Sequence, residues 1–179
     1  VYPTIVRKLP FDGGDGILSN YFDVASCSHP PMWTSAGVVR KESLQSIGGF
    51  PIGIKSGEDL LTWARLASRG QIAYSRRALA EFHVEGYQRG ETPKRRPDDT
   101  DRVGKELALL LSDSEQVGAR AYLSLWYKMR ASIYLRLGES GACLKACAKS
   151  LHYYPANIKV WVMAVLACVP AAIRKLIWR

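Results

Sequence analysis

The chain has 179 residues, of which 47% are hydrophobic and 23% are charged. This composition excludes wholesale disorder, and the length allows one ordinary domain or two small ones. Lysine and arginine total 25 against 16 aspartate and glutamate residues, which gives a formal net charge of +9. The positive charge favours anionic partners, such as nucleotide sugars, phospholipid headgroups or nucleic acid, and does not choose among them.

The cysteines and the first residues bear on the cellular compartment. Four cysteines lie far apart or inside predicted helices, with no secretory leader before them: Cys27, Cys143, Cys147 and Cys168. We therefore expect reduced thiols in a cytoplasmic protein rather than a disulfide framework. The chain begins at Val1, without an initiator methionine or a signal-like stretch, so we also expect a longer parent protein.

The first half of the chain predicts a mixed α/β region. The Gly13 to Gly16 run and the Pro30-Pro31 pair block regular structure, so residues 1–31 predict loop with one short helix. Beyond them, short apolar runs predict strands, apolar residues at helical spacing predict helices, and glycines end the helices. The predicted elements are a buried strand from Trp33 to Arg40, a helix from Lys41 to Ile47 ending at Gly48-Gly49, a helix from Gly57 to Arg69, and strands at Gln71 to Tyr74 and Leu79 to His83.

A polar stretch separates this region from a helical one. Gln88 to Asp101 has almost nothing to bury, which is typical of an exposed linker. We therefore predict domains at 1–87 and 101–179, joined by a linker at 88–100. The predicted helices of the second domain are Arg102 to Leu111, Gly118 to Leu137, Ser140 to Tyr154 and Ala156 to Val169, followed by a basic terminal turn.

The helices on either side of Gly138 resemble one tetratricopeptide-type hairpin, a repeat of about 34 residues. Near its spacing stand Tyr127, Ala131, Tyr134, Leu137, Gly138 and Pro155. Cys143 and Ser150 replace two of the usual alanines, so the match is partial. We expect an all-α hairpin or bundle in this half of the chain.

The motifs that carry chemistry lie in the first half. In order, they are Pro31-Met32-Trp33-Thr34-Ser35-Ala36, Arg40-Lys41-Glu42, Ile47-Gly48-Gly49-Phe50, Gly57-Glu58-Asp59-Leu60-Leu61-Thr62-Trp63-Ala64-Arg65 and Phe82-His83. Each motif alone is weak, but their order is fairly specific. The series resembles the acceptor-side, C-terminal half of bacterial family 2 glycosyltransferases. The resemblance implies the α+β class, with a partial GT-A-like α/β region before the helical half.

The resemblance also implies a catalytic site at the acidic pair. In such enzymes an acidic residue takes the proton of the acceptor hydroxyl during inverting sugar transfer, and Asp59 matches that base. Glu58 then orients the base or binds acceptor hydroxyls. A helix start favours an ionised carboxylate, as a general base requires. The matching motifs place substrate at Trp33, Thr34, Ser35, Gly49 and Phe50, with a nucleotide-sugar donor and a glycan or lipid-linked acceptor as partners.

The family pattern includes an upstream nucleotide-binding half whose Asp-x-Asp element holds a divalent metal. No such half precedes Val1, so we expect manganese or magnesium in the parent enzyme and no activity in the chain alone. His83 is a candidate metal ligand, and its alternative is a half-buried histidine bonded to backbone. Asp99-Thr100-Asp101 matches the element only literally and predicts a helix cap.

Several of these residues have a structural alternative. Ser56 and Asp59 fit a capping box at the helix start, a role compatible with catalysis. Arg65 is expected to pair with a carboxylate, and Trp63 to lie in the core. Trp33 either stacks on a sugar ring or packs in the core.

The helical half offers a competing function. It predicts a non-catalytic interaction module or a membrane-surface adaptor on the inner face of the plasma membrane. Val160 to Ile173 is apolar but too short to cross a bilayer. It either lies at the membrane surface, with the basic residues after it on anionic headgroups, or covers the hairpin.

Three further expectations concern partners. Cys143, Cys147 and His152 permit a metal site, although small buried side chains are the commoner arrangement. Unpaired strand edges predict self-association. Nucleic-acid binding is not expected, because the Lys94-Arg95-Arg96 cluster stands beside aspartates and lacks interleaved aromatic residues.

Overall fold

The structure, a computed structural model, describes residues 4–81, 95–112 and 114–170. These residues are mixed α and β but mostly helical, with one small two-stranded sheet, so the α+β class holds at a coarse level. The elements are β1 (Asp15–Ile17), α1 (Tyr21–Cys27), a 3-10 turn (Thr34–Ala36), α2 (Lys41–Ser46), α3 (Glu58–Arg69), β2 (Ala73–Ser75), α4 (Arg102–Leu111), α5 (Ala119–Leu137), α6 (Ser140–Tyr153) and α7 (Ile158–Cys168).

The chain divides into two compact units. Unit 1 comprises Val1–Tyr87 and Lys105–Tyr122, and unit 2 comprises Gln88–Gly104 and Leu123–Arg179. The linker predicted at 88–100 stays a prediction. Its described part, residues 95–100, is mostly exposed.

The core of unit 1 forms around the first half of α3, where the four consecutive residues 61–64 are buried. Leu61 and Ala64 are fully buried there, and Trp63 is 4% exposed, which confirms its predicted place in the core. Helix α1 packs against α3. On the flank of the helix, the Arg65 guanidinium pairs with the Glu106 carboxylate, as predicted for this arginine. The other buried apolar residues of unit 1 are Leu18, Tyr21, Phe22, Val24, Ala25, Ile47, Ile72, Leu107, Leu111, Ala119 and Tyr122.

The predicted helices of unit 1 are confirmed, with small shifts at their ends. Helix α2 ends at two glycines in the left-handed region, Gly48 at φ +81° and Gly49 at φ +71°. Their amides close the helix by donating to the carbonyls of Gln45 and Leu44, at 3.0 and 2.9 Å. This ending turns the chain so that the Phe50 ring meets the Trp63 ring edge-on, 5.8 Å between centroids.

The predicted strands of unit 1 are mostly wrong. Residues 33–40 do not form a buried strand: they contain the 3-10 turn, and Val38 is fully exposed. A strand needs a partner for its backbone groups, and the described sheet contains only the antiparallel pair of β1 and β2. Strand β1 arises instead from the Gly13 to Gly16 run, which predicted loop.

Of the other two predicted strands, one forms and one does not form over its described residues. The strand expected at residues 71–74 forms as β2, two residues later. The strand expected at Leu79 to His83 does not form at residues 79–81, and the rest of it lies outside the described residues.

Unit 2 contains an antiparallel helical hairpin formed by α5 and α6. The chain turns at Gly138, with φ +79°, and the Glu139 amide donates to the Tyr134 carbonyl at 2.9 Å. Between the helices, the hydroxyls of Ser124 and Ser150 are 2.8 Å apart. Cys143 is fully buried and Cys147 nearly so, as small side chains in a close helix pair should be. The tetratricopeptide resemblance itself stays a prediction.

Helix α7 covers the hairpin with one of its faces. A buried cluster joins it to the two hairpin helices, and its members are Ala131, Tyr134, Leu135, Cys143, Ala146, Cys147, Val160, Met163 and Ala167. The described part of the segment therefore covers the hairpin with one face, which is one of the two arrangements expected for it, while its other face is exposed. Within the described residues, no helix combines the length and the apolar character needed to span a membrane.

Gly118 provides a test of the packing in unit 1. Its φ is +88°, and a Cβ there would lie 2.3 Å from the backbone nitrogen of Asp23. Gly118→Ala should lower the free energy of unfolding by about 3 kcal/mol or more, since both strain and overpacking act there.

The matched control is Gly141→Ala in the first turn of α6, where a Cβ meets nothing within 4 Å. Because alanine favours helix over glycine, this variant should keep or slightly raise the stability. Chemical denaturation of both variants measures the difference. Equal stabilities would contradict the close packing of Gly118 against α1.

Candidate functional site

The acidic pair occupies the first turn of α3. Gly57 is the N-cap residue, with φ +84°, and no side chain caps the helix. The capping-box interpretation of Ser56 and Asp59 is therefore wrong, because the left-handed glycine takes the cap position and Ser56 precedes it. Asp59 instead accepts a hydrogen bond through Oδ1 from the Leu60 amide, at 2.7 Å.

Two tyrosines enclose this helix start. The Tyr122 hydroxyl donates to the carbonyl of Leu60 at 3.0 Å, and its ring lies 6.0 Å from that of Tyr21. Burial raises the pKa of both phenols, and the nearby Asp59 charge adds to the rise. The sequence motifs did not identify either tyrosine, since each stands near a helix start in a separate part of the chain.

Two buried polar atoms of α3 have no hydrogen-bond partner among the described residues: Oε2 of Glu58 and Nε1 of Trp63. An unmet buried polar group costs about 1–3 kcal/mol. Native structures contain few such groups, and a binding or catalytic role is one explanation for them. Glu58 offers an acceptor and Trp63 offers a donor, so each can bond a hydroxyl, which both donates and accepts.

The predicted substrate residues fall into two groups. Gly49 and Phe50 lie beside α3 through the contact between the rings of Phe50 and Trp63. Trp33 precedes the 3-10 turn that contains Thr34 and Ser35, and these side chains are exposed. Trp33 is 41% exposed, so the core-packing alternative for it is wrong, because the strand that would have buried it does not form.

The described residues do not form a divalent-metal site. Nowhere in residues 4–81, 95–112 and 114–170 do three histidine, cysteine, aspartate or glutamate side chains converge at a spacing that would hold a metal. This includes Cys143, Cys147 and His152. His83, the predicted ligand, lies outside the described residues, so its role stays a prediction.

Unit 2 contains a buried charge network centred on Asp101. Its carboxylate accepts from the Trp126 indole at 3.0 Å and lies 3.4 Å from a guanidinium nitrogen of Arg130 and 3.5 Å from the Lys149 ammonium. Asp101 is 6% exposed and stands directly before α4, and its role as a cap stays a prediction. Its carboxylate lies so close to Gly104 that a Cβ at that position would be 2.5 Å from Oδ1. No local signal in the sequence indicated the partners of Asp101, because they are distant from it along the chain.

A depression of about 360 Å³ opens beside this network. It is lined by Arg96, Asp99, Asp101, Tyr127, Arg130, Tyr134, Ala142, Lys145, Ala146 and Lys149. Four cations and two carboxylates thus share the lining. The Arg130 guanidinium donates hydrogen bonds to the Asp98 carbonyl and the Tyr134 hydroxyl. Lys145 has no acidic partner among the described residues, so the depression favours an anionic ligand.

The enclosed tyrosines predict a loss of stability at alkaline pH. Tyr21 and Tyr122 keep their protons in the folded state above the ordinary value of 10.0, whereas the unfolded chain loses them there. The unfolded state then binds fewer protons, so stability falls as the pH rises past 10. Thermal unfolding between about pH 9 and pH 11 measures this slope.

Phenylalanine variants isolate the tyrosine contribution. Tyr122→Phe should reduce the alkaline slope without abolishing it, because burial also raises the pKa of Tyr21, Tyr74 and Tyr127. Tyr154→Phe, at an exposed position, is the matched control. An unchanged slope in Tyr122→Phe would show that this phenol is not enclosed in solution.

The Asp101 network predicts a large effect of one aspartate. Asp101→Ala leaves the Arg130 guanidinium buried without its carboxylate, which should lower the free energy of unfolding by about 3 kcal/mol. Asp99→Ala removes an exposed carboxylate paired with Arg96 and should leave stability nearly unchanged. Denaturant titration compares the two, and equal effects would contradict the buried pair.

Comparison of the chain with protein-family models, with curated proteins and with solved structures finds no match in any of the three.

Proposed function

We propose that the chain is the acceptor-side part of a family 2-type, GT-A-like glycosyltransferase, in which Asp59 is the general base. The observation that carries the proposal is the acidic pair at the start of α3, with one buried carboxylate oxygen of Glu58 unmet. The proposed reaction is inverting transfer of a sugar from a nucleotide donor to an acceptor hydroxyl. The order of the motifs from Pro31 to His83 supports the same assignment.

The local geometry suits the two carboxylates to different tasks. Asp59 uses Oδ1 for the Leu60 amide, and its Oδ2 accepts no hydrogen bond from the described residues. That oxygen takes the proton of the acceptor hydroxyl as the hydroxyl oxygen attacks the anomeric carbon. Glu58 accepts a hydrogen bond from a second acceptor hydroxyl, which orients the sugar.

The surroundings fix these groups in place. Tyr122 donates to the Leu60 carbonyl, so the first turn of α3 cannot shift without breaking this partly buried hydrogen bond. The Phe50 ring, 39% exposed, rests edge-on against the buried Trp63 of this helix and offers an apolar surface beside α3. Sugar rings present apolar C–H faces as well as hydroxyls, so such a surface complements the carboxylates.

The test is a transfer assay with a panel of nucleotide sugars and hydroxyl acceptors, using the chain together with any sequence that naturally precedes it. Asp59→Asn should lower the rate by about a hundredfold or more, the usual contribution of a general base. The variant keeps the bond to the Leu60 amide through its side-chain oxygen, so folding should be retained.

Two further variants sharpen the assay. Glu58→Gln should raise KM more than it lowers kcat, because it weakens acceptor binding. Asp12→Asn, the same change at an exposed loop position, should leave both constants unchanged. Full activity of Asp59→Asn would refute the base assignment.

A second candidate function is a non-catalytic interaction module, favoured by the depression in unit 2. Its lining combines the buried rings of Tyr127 and Tyr134 with the cations of Lys145 and Lys149. An acidic segment of a partner would offset the repulsion between these two lysines, which are one helical turn apart. If no donor supports transfer by the complete protein, this candidate replaces the first.

A further inference from the structure

Helix α7 is apolar on two opposite faces, and only one of them is covered. Val160, Met163 and Ala167 are buried in the cluster of unit 2. The other face carries Ile158, Trp161, Val162 and Val165, at the i, i+3, i+4 and i+7 spacing of a single helical stripe. These four side chains are between 52% and 75% exposed. A contiguous exposed stripe of this kind is typical of an interaction surface.

The charge around this stripe is of one sign. Residues 140–179 contain no aspartate or glutamate, and their cations are Lys145, Lys149, Lys159, Arg174, Lys175 and Arg179. The last three lie outside the described residues and are known here only from the sequence. Such a segregation of charge favours an anionic partner for this end of the chain.

Two lysines beside the stripe are close enough to repel each other. Burial lowers the pKa of Lys128, and the neighbouring Lys159 charge lowers it further. Lys159 follows the first residue of the stripe, Ile158, on the same turn of α7. Negative charges on an anionic surface would neutralise the repulsion between these two lysines, whereas salt in solution only screens it.

We propose that the exposed stripe of α7 docks on an anionic lipid surface, with Ile158, Trp161, Val162 and Val165 entering the headgroup region. Amphipathic helices at membrane surfaces combine an apolar face with lysine and arginine in this way. The Trp161 indole donates to the Pro155 carbonyl at 2.9 Å, which orients the ring at the edge of the stripe. Tryptophan is enriched at the membrane boundary.

A second copy of the chain fits the stripe less well. Pairing two stripes would bring two acid-free, basic segments together, and like charges across an interface are costly. A bilayer that contains anionic lipids supplies both an apolar phase and negative charge, so it satisfies both features of this surface.

Vesicle co-sedimentation of the 179-residue chain tests the proposal. Vesicles of phosphatidylcholine with phosphatidylserine should bind the protein, and vesicles of phosphatidylcholine alone should bind it at least about tenfold more weakly. The double substitution Val162→Asp with Val165→Asp should abolish binding to the anionic vesicles. Both side chains are exposed, so the variant should fold, which circular dichroism checks.

The matched control places the same two charges elsewhere: Val38→Asp with Leu109→Asp, at exposed positions of unit 1. It should lose far less binding than the stripe variant. Equal loss in both variants would overturn the proposal, because net charge alone would then explain the binding. No binding of the wild type to anionic vesicles would also overturn it, as would a dimer in light scattering that only the stripe variant disrupts.

Discussion

The hydrogen bond from the Tyr122 hydroxyl to the Leu60 carbonyl is the constraint on which the candidate site depends. It joins the start of α5 to the first turn of α3, where Glu58 and Asp59 lie. The rings of Tyr21 and Phe22 pack around the same phenol. Moving the acidic pair would break this partly buried hydrogen bond, whose net contribution is about 0.5–1.5 kcal/mol. The site is thus preorganised by aromatic residues outside the motif.

Unit 2 uses a buried charge in a comparable role. Asp101 holds Trp126 and Arg130 of α5 and approaches Lys149 of α6 through one carboxylate. A buried ion pair adds little net stability over an apolar one, but breaking it is costly, so it fixes one arrangement of the helices. The same unit carries the depression lined by four cations and the uncovered stripe of α7.

The sequence predicted the helices well and the strands poorly, for a physical reason. The apolar residues of α3 recur at helical spacing, which is a local signal in the sequence. Helix α2 is likewise ended by the glycines that follow it. The strand predicted at residues 33–40 depends on a partner elsewhere in the chain, and local composition cannot supply one. For the same reason the sequence singled out Glu58 and Asp59 as candidates, since they share one motif, but gave no signal for Tyr122 or the partners of Asp101, which come from distant segments.

Amide chemical-shift mapping during titration of the chain with oligosaccharide acceptors tests directly whether the start of α3 binds an acceptor. If the start of α3 is the acceptor site, the perturbed amides should cluster at Gly49, Phe50 and residues 57–63. Perturbations confined to the depression lined by Lys145 and Lys149, or none at saturating acceptor, would contradict that account. The first of these outcomes would favour the interaction module instead.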